Sequence, residues 1–444
     1  MMTNRRHRRK RWLRIHSTLA LSVGFLFVLT GLTGSLNLVG PELDRWLNPE
    51  LTVIPRAGGG LSPDQMMAAV KSAHPRRFGS WRLQFPESPD SPAVAWYDKP
   101  IETSGEPYAP LMVAIDPYTG KILANRFWGH TFATWTHRLH SQWLLGGFGQ
   151  ALVGLTGLAL LASLVTGFRL WLPAGRRLRQ AMTIKPRAGF KRRIFDLHRI
   201  AGIYGLPLLV TAALTGLHLA FPSLLTTVTG TADFGHHDSP DAEEITASSA
   251  VSDTPLNLTQ AILMARGLFP NAVVDSVTTP RASNGMYRVD FRRTGEHHAL
   301  TTVWVDPYSG HIRQTRNSAD FSRGQRFVNA IRPLHNGSLF GATGRILGFL
   351  GGFVPLALYV TGLVHWAHKR RIDVVRYRPR LPSRWIRLWH RHWPELKDLL
   401  SALAHAATVH IAHVTAALSR GMAKIRAERQ RGRSRDRTPL GPSQ

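Results

Sequence analysis

Four long apolar stretches constrain the fold of this chain more than any other feature. They cover roughly residues 18–40, 143–172, 200–225 and 340–367, and each reaches the ~20 residues that a helix needs to cross a bilayer. Gly, Ala, Ser and Thr recur in all four, as helix contacts in lipid prefer. The first follows a basic segment, as a signal peptide does, but it is long and has no obvious cleavage site, so we interpret it as a retained anchor.

The basic residues predict the orientation of these helices. The formal net charge is +29, but Lys and Arg are concentrated beside the apolar stretches, as on the cytoplasmic side of membrane proteins, where they also meet anionic lipid. We therefore predict no nucleic-acid partner and place both termini in the cytoplasm. The predicted segments are a basic N-terminus (1–14), helices at 15–40, 136–172, 196–222 and 331–368, outer domains at 41–135 and 223–330, a basic loop (173–195) and a basic tail (369–444).

An internal repeat accompanies the four helices. Residues 61–75 align with 256–270 at an offset of 195 residues, and the stretch from His140 to Trp171 aligns with His335 to Trp366 at the same offset. His16 and Thr33-Gly34 align with His198 and Thr215-Gly216 at an offset of 182. Each unit has two helices, so both copies enter the membrane in the same direction, which predicts a parallel repeat.

Each outer domain reads as a small α+β unit. An amphipathic helix follows a capping signal, and β-rich segments follow the helix. Each copy closes with an Asp-Pro-x-x-Gly turn, at 116–120 and 306–310, because Pro fixes φ and Gly accepts positive φ. The predicted fold class is a four-helix transmembrane bundle with two periplasmic α+β domains. The predicted strands are 81–85, 94–98, 111–115, 273–278, 287–292 and 301–306.

Histidine is the chemical signal of the chain, which contains 21 histidines and no cysteine. The absence of cysteine excludes disulfides, thiolate zinc sites and covalent haem attachment. The histidines at the helix ends form two predicted layers, an outer layer of His140, His218 and His335 and an inner layer of His16, His198 and His365.

Ionisable residues at membrane depth are costly and are candidates for function. Two facing imidazoles can hold a b-type haem, so the two layers predict two haems stacked across the bilayer. Which histidines ligate in each layer stays open, and each could instead be an interfacial side chain. Arg138, Arg199 and Arg332 are candidate partners of haem propionates or interfacial anchors.

The segments 12–34, 136–171, 195–216 and 332–366, together with the DPYTG and DPYSG turns, resemble the PepSY-associated transmembrane proteins of bacteria. The resemblance spans about residues 12–370. It implies an inner-membrane ferric-siderophore reductase with two haems b, which passes electrons from the cytoplasmic side to a ferric siderophore in the periplasm for iron uptake. No G-x-G-x-x-G motif follows a strand, so the electron donor would be a quinol or a separate reductase. Outer-sphere electron transfer would need no catalytic acid or base.

Two alternatives compete with this interpretation. PepSY domains also occur as binding or regulatory modules, so the protein could be a non-enzymatic membrane-anchored regulator. A transporter is less favoured, because we find no acidic residue within the helices to form a pathway. Beyond the resemblance, residues 395–419 predict an amphipathic helix on the inner membrane surface.

Overall fold

The computed structural model describes residues 2–106, 108–172, 182–185, 188–223, 255–292 and 300–370. They lie in one compact unit, Met1–Ile372. About half of the loop at 173–195, part of the segment at 223–330 and the amphipathic pattern at 395–419 lie outside the described residues.

Helices form most of this unit. We number them in chain order: α1 Met2–Leu38, α2 Gly40–Leu47, α3 Pro63–Ala73, α4 Phe132–Gln142, α5 Gly146–Trp171, α6 Phe190–Ala220, α7 Leu258–Leu268, α8 Arg323–His335, α9 Gly341–Gly351 and α10 Val354–Lys369.

Four helical segments are long and apolar enough to cross a membrane: His7–Leu38, Gly146–Trp171, Phe190–Ala220 and Ser338–Lys369. Each long helix touches two others, because α1 and α6 both contact α5 and α10. Small residues allow the close approach. Gly31 of α1 lies against the backbone of Gly352, between α9 and α10, and the Ser35 hydroxyl donates to the Phe349 carbonyl at 2.7 Å. Such contacts drive helix association in lipid, where no hydrophobic force acts between helices.

The second and fourth spans begin later than the predicted starts at residues 136 and 331. We predicted one continuous helix in each place. The structure has two helices in the first place, α4 and α5, and three in the second, α8, α9 and α10, with a sharp corner before each span. At the first corner Trp143 and Leu144 adopt left-handed backbone with φ of 45° and 60°. A Cβ atom at Gly149 would collide with the Gln142 carbonyl oxygen. His140 therefore lies in the short helix α4, and His335 lies in the corresponding short helix α8.

All eight described strands belong to one antiparallel sheet rather than to two separate sheets. Its order is β4-β3-β2-β1-β5-β6-β7-β8. The strands are β1 Arg82–Gln84, β2 Ala93–Tyr97, β3 Leu111–Ile115, β4 Ile122–Phe127, β5 Val273–Thr278, β6 Tyr287–Arg292, β7 Leu300–Val305 and β8 Ile312–Arg316. The predicted antiparallel strands are confirmed to within two residues. The sequence did not predict the β1–β5 pairing, in which Leu83 lies opposite Val277.

One face of the sheet carries the hydrophobic core. Leu83, Val113, Val277 and Val303 are fully buried there, and α3 and α7 cover them. The two covering helices are also joined, because the Asp64 carboxylate accepts hydrogen bonds from the first backbone N–H groups of α7 at 2.9 and 3.0 Å. An acid at a helix N-terminus is stabilising, so this contact fastens the two halves of the sheet domain together.

Candidate functional site: two histidine pairs

The structure brings His140 of α4 and His335 of α8 together beside the sheet domain. Their ring centroids lie 6.1 Å apart. The His140 Nδ1 atom lies 2.9 Å from the Thr30 carbonyl oxygen and 3.3 Å from the Thr33 hydroxyl of α1. The His335 Nδ1 atom lies 2.8 Å from the Thr215 hydroxyl of α6. Each imidazole of this sheet-side pair is thus oriented by a spanning helix that does not carry it.

His16 of α1 and His198 of α6 form a second pair, with ring centroids 6.3 Å apart. The His16 Nδ1 atom lies 3.1 Å from the Ser163 carbonyl oxygen and 3.0 Å from the Thr166 hydroxyl. The His198 Nδ1 atom makes the equivalent contacts, each at 3.0 Å, with the Leu358 carbonyl and Thr361 hydroxyl. We call these residues the far pair, because they lie at the opposite end of α1 and α6 from the sheet.

These contacts determine the tautomer of the imidazoles. A carbonyl oxygen only accepts hydrogen bonds, so His16, His140 and His198 must carry the proton on Nδ1. The Thr215 hydroxyl donates to the Thr211 carbonyl at 2.6 Å and can therefore accept from Nδ1 of His335. Nε2 of every ring is left with a lone pair. A metal-binding histidine is normally oriented by a hydrogen bond at its other nitrogen in this way.

A glycine gives each imidazole its space. Gly34, Gly167, Gly216 and Gly362 directly follow the four threonines. A Cβ atom at Gly34 would lie 2.9 Å from Cε1 of His140. At the other three glycines the distance to Cε1 is 3.2 Å, for Gly167 with His16, Gly216 with His335 and Gly362 with His198. A larger residue would therefore displace the ring. The four Thr-Gly dipeptides thus act as matched cradles, in which threonine orients the imidazole and glycine admits it.

The spacing of each pair fits an iron ion held between two imidazoles. A metal–imidazole bond of ~2.0 Å on each side places the two ring centres about 6 Å apart, which matches both pairs. In the described part of the chain, no cluster of three or more His, Cys, Asp or Glu side chains could hold a metal ion by itself. A haem needs only two axial ligands from the protein, because the macrocycle supplies the equatorial nitrogens. The donor set therefore suits haem better than a bare ion.

The two pairs are well separated along the bundle. His16 precedes Thr33 by 17 residues on α1, and His198 precedes Thr215 by 17 residues on α6. At 1.5 Å per residue, this spacing corresponds to about 25 Å, most of the ~30 Å thickness of a hydrocarbon core. The pairs therefore lie near opposite faces of the membrane-spanning region.

Two predicted ligands lie outside these pairs. His218 lies three residues beyond Thr215 on α6 and is half-buried. His365 is exposed on α10, with its ring 5.4 Å from that of Phe195. Each predicted layer of three therefore resolves into a pair and an additional histidine. Position along the helices alone did not distinguish the paired histidines from the additional ones. The difference is that each paired imidazole faces a Thr-Gly cradle.

The three candidate arginines differ in their partners. Arg138 pairs with Glu106 at 2.6 Å, and Arg199 pairs with Asp196 at 3.0 Å. Arg332 is exposed and makes no ion pair with any residue that the structure describes. It lies close enough to His335 and His137 to influence both electrostatically. Arg332 is therefore the candidate most available to an anionic group at the sheet-side pair.

Asp196 is a site residue that sequence reasoning missed. We expected no acidic residue within the helices, but this carboxylate is fully buried on α6, two residues before His198. Arg192 and Arg199 pair with it, and the Lys185 backbone donates to it at 3.3 Å. Because two guanidinium groups compensate the charge, the carboxylate serves as a structural anchor for the end of α6 rather than as a transport pathway.

Replacing Gly34 by alanine is expected to disturb the sheet-side pair. The new Cβ would lie 2.9 Å from His140 Cε1, although alanine itself favours a helix by ~1 kcal/mol. If each pair holds one haem, Gly34→Ala should lose up to about half of the haem, and Gly216→Ala should lose less. Gly157→Ala in α5 is the control, since its Cβ would lie 3.7 Å from the nearest atom. Equal haem content in all three variants would contradict the cradle.

Comparison with known families agrees with this architecture. The model of a family described as the PepSY-associated TM region matches residues 13–369 of the chain. The match contains the sheet, both histidine pairs and the four spans except the first six residues of His7–Leu38. No curated protein matches the chain.

Proposed function

Because the chain belongs to the PepSY-associated TM region family, we propose that this membrane protein is a di-haem b oxidoreductase that reduces ferric siderophore. The observation that carries the proposal is the arrangement of the four imidazoles. They form two facing pairs, and each ring is fixed at Nδ1 and leaves Nε2 available. A histidine with only an interfacial role would not need an oriented ring or a partner at about 6 Å.

In this proposal each residue has a defined task. His140 with His335, and His16 with His198, would hold one haem each, and the haem iron would supply one-electron chemistry when bound. The cradle threonines hold the ring orientation and raise the basicity of the ligating nitrogen. Arg332 would face a haem propionate. No catalytic acid or base is assigned, because outer-sphere electron transfer moves no proton at the protein.

The proposed location is the bacterial inner membrane with both termini in the cytoplasm. The basic segments at 5–14 and 369–391 support this orientation through the positive-inside rule. The sheet domain would then be periplasmic, with the sheet-side pair near the periplasm and the far pair near the cytoplasm. Electrons would enter at the far pair from a quinol or a separate reductase.

Reduction would serve iron release. A siderophore binds Fe(III) through hard oxygen ligands, and Fe(II) is held by such ligands much less tightly. One electron added to the ferric complex gives Fe(II) and the intact chelator, so no bond within the chelator has to break. The proposed role is therefore iron uptake without consumption of the siderophore.

The proposal includes duplication of one unit. Gly149 and Gly344, at the offset of 195, both occupy a corner where a Cβ atom would meet the preceding turn. The Thr-Gly cradles occur at both offsets. Two copies with the same direction through the membrane would place a pair of ligands at each face, as a parallel repeat requires.

A visible absorption spectrum tests the function. Protein purified in detergent from haem-replete cells should show b-type haem absorption and about two haems per chain. A colourless preparation would refute the reductase and would favour the alternative of a non-enzymatic PepSY binding or regulatory protein.

A further inference from the structure

The second face of the sheet, opposite the core, carries a row of arginine and tryptophan side chains. Directly paired residues of antiparallel strands lie on the same face. Arg82 lies opposite Trp96 on one side and Thr278 on the other, Thr278 lies opposite Arg288, and Arg288 lies opposite Trp304. This row crosses the junction of the two halves of the sheet. Its Trp304 end is fully buried, whereas Arg82 and Trp96 are partly exposed.

Aromatic rings connect this face with the sheet-side pair. The Arg82 guanidinium lies 4.9 Å from the Trp96 ring centre, and the Trp96 and Trp128 rings are 6.1 Å apart. The Trp128 ring lies 6.1 Å from Tyr108 and 5.8 Å from His137. His137 is three residues before His140 on α4. We call Trp96, Tyr108, Trp128 and His137 the aromatic wall.

The aromatic wall is accessible from solvent. Tyr108 is 45% exposed, and His137 is also exposed. Burial among the surrounding protein nevertheless lowers the pKa of His137 to about 4, with smaller effects from His140 and Arg332. His137 is therefore neutral at pH 7 and adds no charge to the aromatic wall.

Among the residues that the structure describes, positive charge exceeds negative charge around the aromatic wall. Two carboxylates lie there, Glu106 and Asp290, and the ion pair of Arg281 with Asp98 adds one charge of each sign. Burial is the main cause that lowers the pKa of Arg82, but a guanidinium remains charged at neutral pH. Four guanidinium groups border the wall: Arg82, Arg138, Arg288 and Arg332.

We propose that the aromatic wall and Arg82 bind an anionic ferric chelate that carries aromatic rings, of the tris-catecholate class. This inference rests on the proposed function and specifies its substrate class. Aryl rings would stack on Trp96, Tyr108 and Trp128, and the surplus guanidinium charge would select an anionic complex over a neutral one. The bound complex would lie directly beside the helix that carries His140, where an electron leaves the sheet-side haem.

Binding to the oxidised protein tests this proposal without an electron donor. Equilibrium dialysis would compare the ferric complex of a hexadentate tris-catechol chelator, which is strongly anionic, with that of a neutral hexadentate tris-hydroxamate chelator. The wild-type protein should bind the anionic complex at least about tenfold more tightly, equivalent to ~1.4 kcal/mol. Higher ionic strength should reduce the preference. Equal binding of the two complexes would overturn the proposal.

Two variants and one control localise the binding. Arg82→Gln removes one of the two surplus charges and should reduce the charge preference, and Tyr108→Ala, at an exposed position, should weaken binding of the catecholate complex. Lys71→Gln removes one charge from α3, on the opposite side of the sheet, and should bind like the wild-type protein. Equal losses in the Arg82 and Lys71 variants, or an altered haem spectrum in Arg82→Gln, would refute the chelate assignment. Selective binding by a haem-free protein would refute the oxidoreductase and leave this site standing.

Discussion

Replacement of His140 by alanine is expected to reduce the haem content from about two per chain to about one. His335 would then lose the imidazole whose ring centroid lies 6.1 Å from its own. A single imidazole cannot hold a six-coordinate b-type haem from both sides. His335→Ala should give the same loss. Because the two residues act on one site, the double variant should lose no more haem than either single variant. The pyridine haemochrome assay measures the stoichiometry directly.

His218→Ala is the matched control for this prediction. His218 was an equal candidate in the outer layer, but the ring that faces His335 belongs to His140. We expect His218→Ala to retain both haems. Full haem content in His140→Ala together with loss in His218→Ala would show that the pairing is wrong, even if the protein is a di-haem oxidoreductase.

Replacement of His198 by alanine is expected to abolish electron transfer across the membrane while the sheet-side haem remains. The far pair is about 25 Å from the sheet-side pair along the bundle, so a reductant on its side of the membrane has no other bound cofactor to reduce. Proteoliposomes that contain a membrane-impermeant reductant would report this loss. Wild-type protein should generate Fe(II) from an external ferric chelate, whereas His198→Ala should fall to the rate of protein-free liposomes.

His365→Ala provides the control for the far pair. His365 lies in the same region of the bundle, but its ring packs against Phe195 and is outside the His16–His198 contact. We expect wild-type rates of Fe(II) formation in this variant. A wild-type rate in His198→Ala would contradict the role of the far pair. No Fe(II) from wild-type protein with two bound haems would instead refute transmembrane transfer.

Several features of the site were accessible from the sequence. His140 and His335, and His16 and His198, were identified because they recur at constant offsets of 195 and 182 residues. The Thr-Gly dipeptides recur at the same offsets, which was the available signal for the cradles. Their role was not predicted, because each cradle is far from its histidine in the chain. The separation ranges from 107 residues for Thr33 and His140 to 163 residues for His198 and Thr361. No local pattern connects residues so far apart in the chain.

Hydropathy and turn chemistry were sufficient to predict four spanning helices, the antiparallel strands and the two histidine layers. These properties follow from the free-energy cost of exposing apolar side chains to water and polar backbone groups to lipid. The residues of each segment determine this cost, so it can be read from the sequence. Only tertiary packing determined which two histidines of each layer face each other, where the corners at Trp143 and Gly337 interrupt the helices, and how β1 joins β5 into one sheet. Those outcomes depend on close contacts between distant segments, so they are properties of the assembled bundle and sheet rather than of any one segment.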